Sequence, residues 1–132
     1  MRHLGIDYGE KRIGISVSDP GGRIAFPKKV IFNRGNKRVW EQIKAVLDDE
    51  KISKIVVGLP LSLDGGETEE SQKVRAFAEE LKKITALPIE FENEIFTTHM
   101  VEQAGIKKEH TDEAAAAVIL QSYLDRHIKP SA

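Results

Sequence analysis

Three acidic residues, Asp7, Glu94 and Asp112, stand where the sequence predicts the end of a strand or the start of a helix. Asp7 interrupts the apolar segment 5–9, Gly-Ile-Asp-Tyr-Gly. A carboxylate at a strand end suits a metal-dependent phosphate site, because the neighbouring glycines let a backbone or a phosphate come close. An aspartate here would equally cap the turn at Gly9. The local sequence leaves both interpretations open.

Glu94 and Asp112 are weaker signals when each is taken alone. Glu94 ends a predicted strand just before Thr97 and Thr98, which could cap a following helix, and a glutamate in that place is usually solvated. Asp112 opens a predicted helix, where an acid complements the helix dipole. The alanines at 114–117 would let that helix lie close to a sheet and direct Asp112 towards it.

Taken together, the three acids come from three separate elements, and such convergence is how hard divalent cations are held. Mg²⁺ and Mn²⁺ prefer carboxylate oxygens and water. Two such ions about 4 Å apart can stabilise both the attacking and the leaving oxygen of a phosphodiester. The pattern therefore makes Asp7, Glu94 and Asp112 candidate ligands of Mg²⁺ or Mn²⁺ at a site for phosphodiester chemistry.

The composition is that of one ordinary globular domain of 132 residues, 40% hydrophobic and 31% charged. The absence of cysteine excludes disulfides and thiolate metal sites. No apolar stretch has the length of a signal sequence or a membrane span, so we expect a cytoplasmic protein without a membrane partner.

The net charge of -1 counts modestly against a polyanionic partner, although a local basic patch is compatible with it. Lysine and arginine outnumber acids in the segment 28–54. A solvated helix face would explain most of these charges equally well.

Hydrophobic periodicity predicts five strands and four helices along the chain. The strands are expected at 3–8, 12–18, 24–32, 54–58 and 88–94, and the helices at 36–51, from the loop 59–66 to about 85, at 97–104 and at 112–127. Three antiparallel strands would open the chain and parallel crossovers would follow. This order predicts an α/β fold with a five-stranded mixed sheet and helices on both faces.

Segments 5–19, 56–61 with 64–65, 112–115 and 119–125 resemble the YqgF family, which comprises Holliday-junction-resolvase-like proteins described as nucleases of the 16S ribosomal RNA precursor. The matching segments span nearly the whole chain in the same order. The resemblance implies a ribonuclease H-like fold over residues 1–132 as a single nuclease domain. The family has active-site acids on the first strand, at a later strand end and on the last helix. By the resemblance, these acids correspond to Asp7, Glu94 and Asp112.

One segment departs from the family pattern. Where the family usually has Asp-Glu-Arg-Leu-Thr-Thr, residues 93–98 are Asn-Glu-Ile-Phe-Thr-Thr. Asn93 and Ile95 therefore remove a charge pair and a phosphate contact, which bears on substrate affinity and activity and not on the fold.

The resemblance implies a metal-dependent nuclease that cleaves RNA during maturation of the 16S ribosomal RNA precursor. We expect Lys11 and Arg12, on the first hairpin turn, to contact phosphate, and the protein to be a monomer. One alternative is a resolvase of branched DNA, which would have to be a dimer to cut two strands. Another is a non-catalytic nucleic-acid-binding assembly factor, which Ile95 and the mildly acidic balance favour.

Overall fold

A computed structural model describes residues 1–35, 37–94 and 111–127. Its strands are β1 (Arg2–Asp7), β2 (Arg12–Ser18), β3 (Ala25–Phe32), β4 (Ile52–Leu59) and β5 (Ile89–Asn93), and its helices are α1 (Lys37–Asp49), α2 (Glu69–Lys82) and α3 (Thr111–His127). The helix predicted at 97–104 lies outside the described residues.

The five strands form one sheet in the order β3-β2-β1-β4-β5. β1, β2 and β3 pair antiparallel, whereas β4 and β5 run parallel to β1. The predicted five-stranded mixed sheet is confirmed. The strand predicted at 54–58 is longer than expected, because Ile52 and Leu59 are also buried and extend it at both ends.

The larger core fills the face of the sheet that α1 and α2 cover. Alternate residues of the central strands point to this face, among them Leu4, Ile6, Ile13 and Ile15, all fully buried. Each helix contributes an apolar stripe at helical spacing. The buried stripe residues are Val39, Ile43, Val46 and Leu47 of α1 and Val74, Phe77, Ala78 and Leu81 of α2.

The opposite face is covered by α3, whose backbone lies almost directly on the sheet across three glycines. A Cβ atom at Gly14 would lie 1.9 Å from the carbonyl oxygen of Asp112. At Gly5 it would lie 2.8 Å from the Cβ of Leu120, and at Gly58 it would lie 2.5 Å from the Cδ1 of Ile119. No side chain fits at these positions. We call Gly5 of β1, Gly14 of β2 and Gly58 of β4, which lie directly beneath the helix, the glycine floor.

A hydrogen bond fixes the same contact. The Ser16 hydroxyl of β2 donates to the main-chain carbonyl of Ala116 at 2.8 Å, and both residues are fully buried. From the sequence, we expected the alanines of α3 to allow this close approach. The structure shows that Ala116 contributes but that the sheet's glycines make the approach close.

Among the residues that the structure describes, no helix combines the length and the apolarity needed to cross a lipid bilayer.

We expect Gly14→Ala to lower the free energy of unfolding by about 3 kcal/mol or more, since the added methyl group collides with helix backbone that cannot rotate away. Gly21→Ala is the matched control, because its Cβ meets only the movable carboxylate of Asp19 at 3.2 Å, and it should cost less than about 1 kcal/mol. Urea titration measures both. Equal losses would show that α3 does not rest on Gly14.

Candidate active site

Asp7 is the last residue of β1 and lies opposite Gly14 of β2. Residues two apart in a strand point to the same face. Asp7 therefore shares with Gly5 the face that α3 covers. Its carboxyl group forms a hydrogen bond with that of Glu94, which brings two of the three predicted site residues into direct contact.

Glu94 directly follows β5, and its backbone N–H donates to the carbonyl of Leu59 at 3.2 Å. Its side chain lies over Gly58, where a Cβ atom would come within 2.7 Å of the Glu94 Oε2 atom. The glycine that admits α3 thus also makes room for this carboxyl group. Residues 95–98, which hold the departure at Ile95 and the two threonines, lie outside the described residues.

The shared hydrogen bond requires a proton, because two carboxylates have only acceptor atoms. The pKa of Asp7 is raised to about 6, mainly by burial and in addition by the negative charge of Asp112, while the hydrogen bond with Glu94 opposes the shift. Burial also raises the pKa of Glu94, to about 8, with the charge of Asp7 as the second cause. Near neutral pH the pair therefore shares one proton, which belongs to the two carboxyl groups together.

Asp112 is the second residue of α3 and lies close enough to Asp7 for its charge to act there. Its carboxylate, however, forms an ion pair with the guanidinium of Arg12 at 3.0 Å. Arg12 begins β2 and its side chain is 51% exposed, while Lys11 is exposed on the preceding turn. The residue expected to contact phosphate therefore neutralises the third acid in this structure.

Within residues 1–35, 37–94 and 111–127, no three His, Asp or Glu side chains are arranged to hold a metal ion. Asp7 and Glu94 meet, and Asp112 is turned towards Arg12. The chemistry of the donor set nevertheless fits a hard cation. Two half-buried carboxyl groups are joined by a proton that a divalent cation could replace, and a third carboxylate lies beside them.

Sequence reasoning missed Glu92, which is only 2% exposed on β5. The Ser122 hydroxyl of α3 donates to its Oε2 atom at 2.7 Å, and Arg126 forms an ion pair with its other oxygen. Glu92 thereby ties the strand that precedes Glu94 to the helix that carries Asp112. A signal was present, since Glu90, Glu92 and Glu94 follow one another at the two-residue spacing of a single strand face.

Comparisons with known proteins show the family and the fold. A model of the RuvX family, described as Holliday junction resolvase, matches residues 1–126. A relative from Sulfurihydrogenibium sp. (strain YO3AOP1), named "Putative pre-16S rRNA nuclease", is 44% identical over 133 residues, which cover 95% of this chain and 90% of the relative.

Solved structures show the same fold at low sequence identity. The RuvC protein of T. thermophilus, in complex with a Holliday junction substrate, is similar with a TM-score of 0.59 and 17% identity over 96% of each chain. The Fowlpox virus resolvase, bound to Holliday junction DNA, is similar with a TM-score of 0.64 and 12% identity over 98% of this chain and 100% of that one.

The fold is ribonuclease H-like, and the family model and the relatives identify a nuclease, a hydrolase that acts on phosphodiester bonds. The chain belongs to the RuvX family, the family that the sequence resembles under the name YqgF. Its partner is accordingly a nucleic acid.

The shared proton predicts how stability depends on pH. Both folded-state pKa values are raised, so the stability that protonation gives is complete below the ordinary carboxyl range and is lost as pH rises through about 6 to about 8. In the presence of chelator, we expect the free energy of unfolding to fall by roughly 1–2 kcal/mol more over this interval in the wild type than in Glu94→Gln.

Urea titrations at the two pH values measure this difference. His3, whose pKa is lowered by burial, changes stability in the opposite sense, but it does so in both proteins and cancels. An identical pH dependence in the wild type and in Glu94→Gln would show that the carboxyl pair does not share a proton.

Proposed function

We propose that the protein is a divalent-metal-dependent nuclease that cleaves RNA in the cytoplasm during maturation of the 16S ribosomal RNA precursor. The observation that carries the chemistry is the half-buried, hydrogen-bonded pair of Asp7 and Glu94 beside Asp112. The RNA substrate is inferred from the name of the relatives, which are similar over nearly the whole chain.

Asp7, Glu94 and Asp112 would hold Mg²⁺ or Mn²⁺, because all three offer the hard oxygen ligands that these ions prefer. When bound, such an ion activates water and neutralises charge on the phosphodiester. The chain must first prepare these ligands. To act as ligands, Asp7 and Glu94 would have to give up the proton that they share, and Asp112 would have to leave the guanidinium of Arg12.

The separation of Arg12 from Asp112 would also affect substrate binding. If Asp112 held the ion, the guanidinium of Arg12 would be free at the edge of the site, next to Lys11. Arginine binds phosphate oxygens in a fork geometry, so this group would then hold the substrate backbone. We therefore assign Lys11 and Arg12 to phosphate binding, and Arg12 also to compensating the charge of Asp112.

A cleavage assay with purified protein, Mn²⁺ and a precursor RNA tests the catalytic assignment. We expect Asp7→Asn to lose at least about 100-fold in rate, more than the roughly 10- to 100-fold typical of residues that only support a metal ligand. Asp48→Asn is the matched control, because Asp48 is an exposed aspartate of α1 on the other side of the sheet, and it should retain full activity. Equal cleavage by wild type and Asp7→Asn would overturn the site.

Branched DNA is the second candidate substrate, because the family description and both solved neighbours are of Holliday junction resolvases. Symmetric cutting of a junction requires two active sites. Light scattering should give the mass of a monomer, and the RNA precursor should be cleaved faster than a four-way DNA junction. A dimer that cuts the junction symmetrically would reverse the choice of substrate.

A further inference from the structure

A cleft of about 360 Å³ opens on the face of the sheet opposite the carboxyl pair, between α1, α2 and the end of β1. Its walls include three aromatic rings that come from distant parts of the chain, Tyr8, Trp40 and Phe77. The volume lies near the lower end of the range of about 300 to 1,000 Å³ that is typical for small-molecule sites. Its size and lining suit a flat, apolar group.

The three rings form one continuous wall. Phe77 is buried, and its ring centroid lies 4.5 Å from that of Tyr8 and 5.3 Å from that of Trp40, which is stacked on it at 16°. Tyr8 and Trp40 are only half-buried, so each also faces the cleft. Aromatic faces that are already aligned lose little conformational freedom when another ring stacks on them.

Cations lie at the cleft and in the groove beside it, together with glutamates that include Glu41 of the groove. Lys73 lines it directly, with its side chain 45% exposed, and forms an ion pair across the mouth with Glu10 of the first hairpin turn. An adjoining groove beside Phe32 is lined by Arg34 and Arg38. Glu80 also lines the cleft, but its carboxylate is paired with Lys83. Aromatic faces bordered by cations are the combination that proteins use to bind single-stranded nucleic acids.

The position of Tyr8 connects the cleft to the active site. Asp7 and Tyr8 are consecutive residues, and their Cα atoms are about 3.8 Å apart across a trans peptide bond. The end of β1 directs Asp7 to one face of the sheet and Tyr8 to the other. A nucleic-acid strand with one phosphate at Asp7 has only to pass over this edge of the protein sheet to bring a neighbouring base into the cleft.

We propose that this cleft binds an unpaired nucleobase of the substrate strand, next to the phosphate that is cleaved. The inference rests on the proposed function and refines it, because the substrate must then carry an unstacked nucleotide at the cleavage point. The Asn33 amide group in the cleft already donates to the carbonyl of Gly9 at 3.0 Å. Recognition therefore depends on stacking and tolerates different bases.

Trp40 is the only tryptophan of the chain, so its fluorescence reports the cleft without a label. The probes are adenosine monophosphate, a short single-stranded RNA and a duplex of the same sequence, added to Asp7→Asn protein without metal so that nothing is cleaved. We expect saturable quenching by the nucleotide and the single strand, and at least about tenfold weaker binding of the duplex. Equal affinity for duplex and single strand, or no quenching by any probe, would overturn the proposal.

Two pairs of variants locate the binding by fluorescence anisotropy of a labelled single strand. Trp40→Leu keeps an apolar side chain but removes a ring, and should weaken binding roughly 5- to 150-fold, the loss expected for one stacked base. Phe26→Ala removes a 49% exposed ring of β3 that does not line the cleft and should change nothing. Lys73→Gln should weaken binding, whereas Glu10→Gln, which breaks the same ion pair but keeps the cation, should not.

The same variants separate failure of this inference from failure of the proposed function. If Trp40→Leu binds and cleaves like the wild type while Asp7→Asn does not cleave, the nuclease assignment stands and the cleft proposal is wrong. If no protein cleaves RNA but single strands still quench Trp40, the cleft binds a nucleobase as proposed, whereas the nuclease assignment and the place of that base beside a cleaved phosphate are wrong.

Discussion

The close approach of α3 to the sheet is the constraint on which the rest of the site depends. Gly5, Gly14 and Gly58 stand on three adjacent strands, and a Cβ atom at any of them would meet the helix at 2.8 Å or less. The helix rests there and brings Asp112 towards Asp7, while the space above Gly58 also admits Glu94. A sheet face with ordinary side chains would keep these carboxyl groups apart.

Such an arrangement has an electrostatic cost, because like charges are placed together in a partly dehydrated site. The protein offsets it in two ways. Asp7 and Glu94 share a proton, and Arg12 neutralises Asp112. A divalent cation could replace both the shared proton and the Arg12 guanidinium. It would compensate the negative charge of all three carboxylates more effectively than one proton and one half-exposed guanidinium do.

Much of the fold was predictable because its signals are local. Alternating apolar residues in β1 and β2 and the apolar stripe of α1 determine those elements directly. The contact between Asp7 and Glu94 could be predicted from the sequence, because both residues lie at strand ends and strand ends converge. The glycine floor, the ion pair of Arg12 with Asp112 and the cleft of Tyr8, Trp40 and Phe77 all depend on strand register and helix packing, which no short segment encodes. The Ile95 departure stays a sequence prediction, since that residue lies outside the described part of the chain.

We propose that Asp7, Glu94 and Asp112 act together as the ligands of a divalent cation. A crystal structure of the protein with Mn²⁺, measured by anomalous diffraction, tests it most directly. We expect a manganese peak with carboxylate oxygens of all three residues about 2.2 Å away, and the Arg12 guanidinium released from Asp112. A peak elsewhere, or one at Asp7 and Glu94 with Asp112 still paired to Arg12, would contradict it.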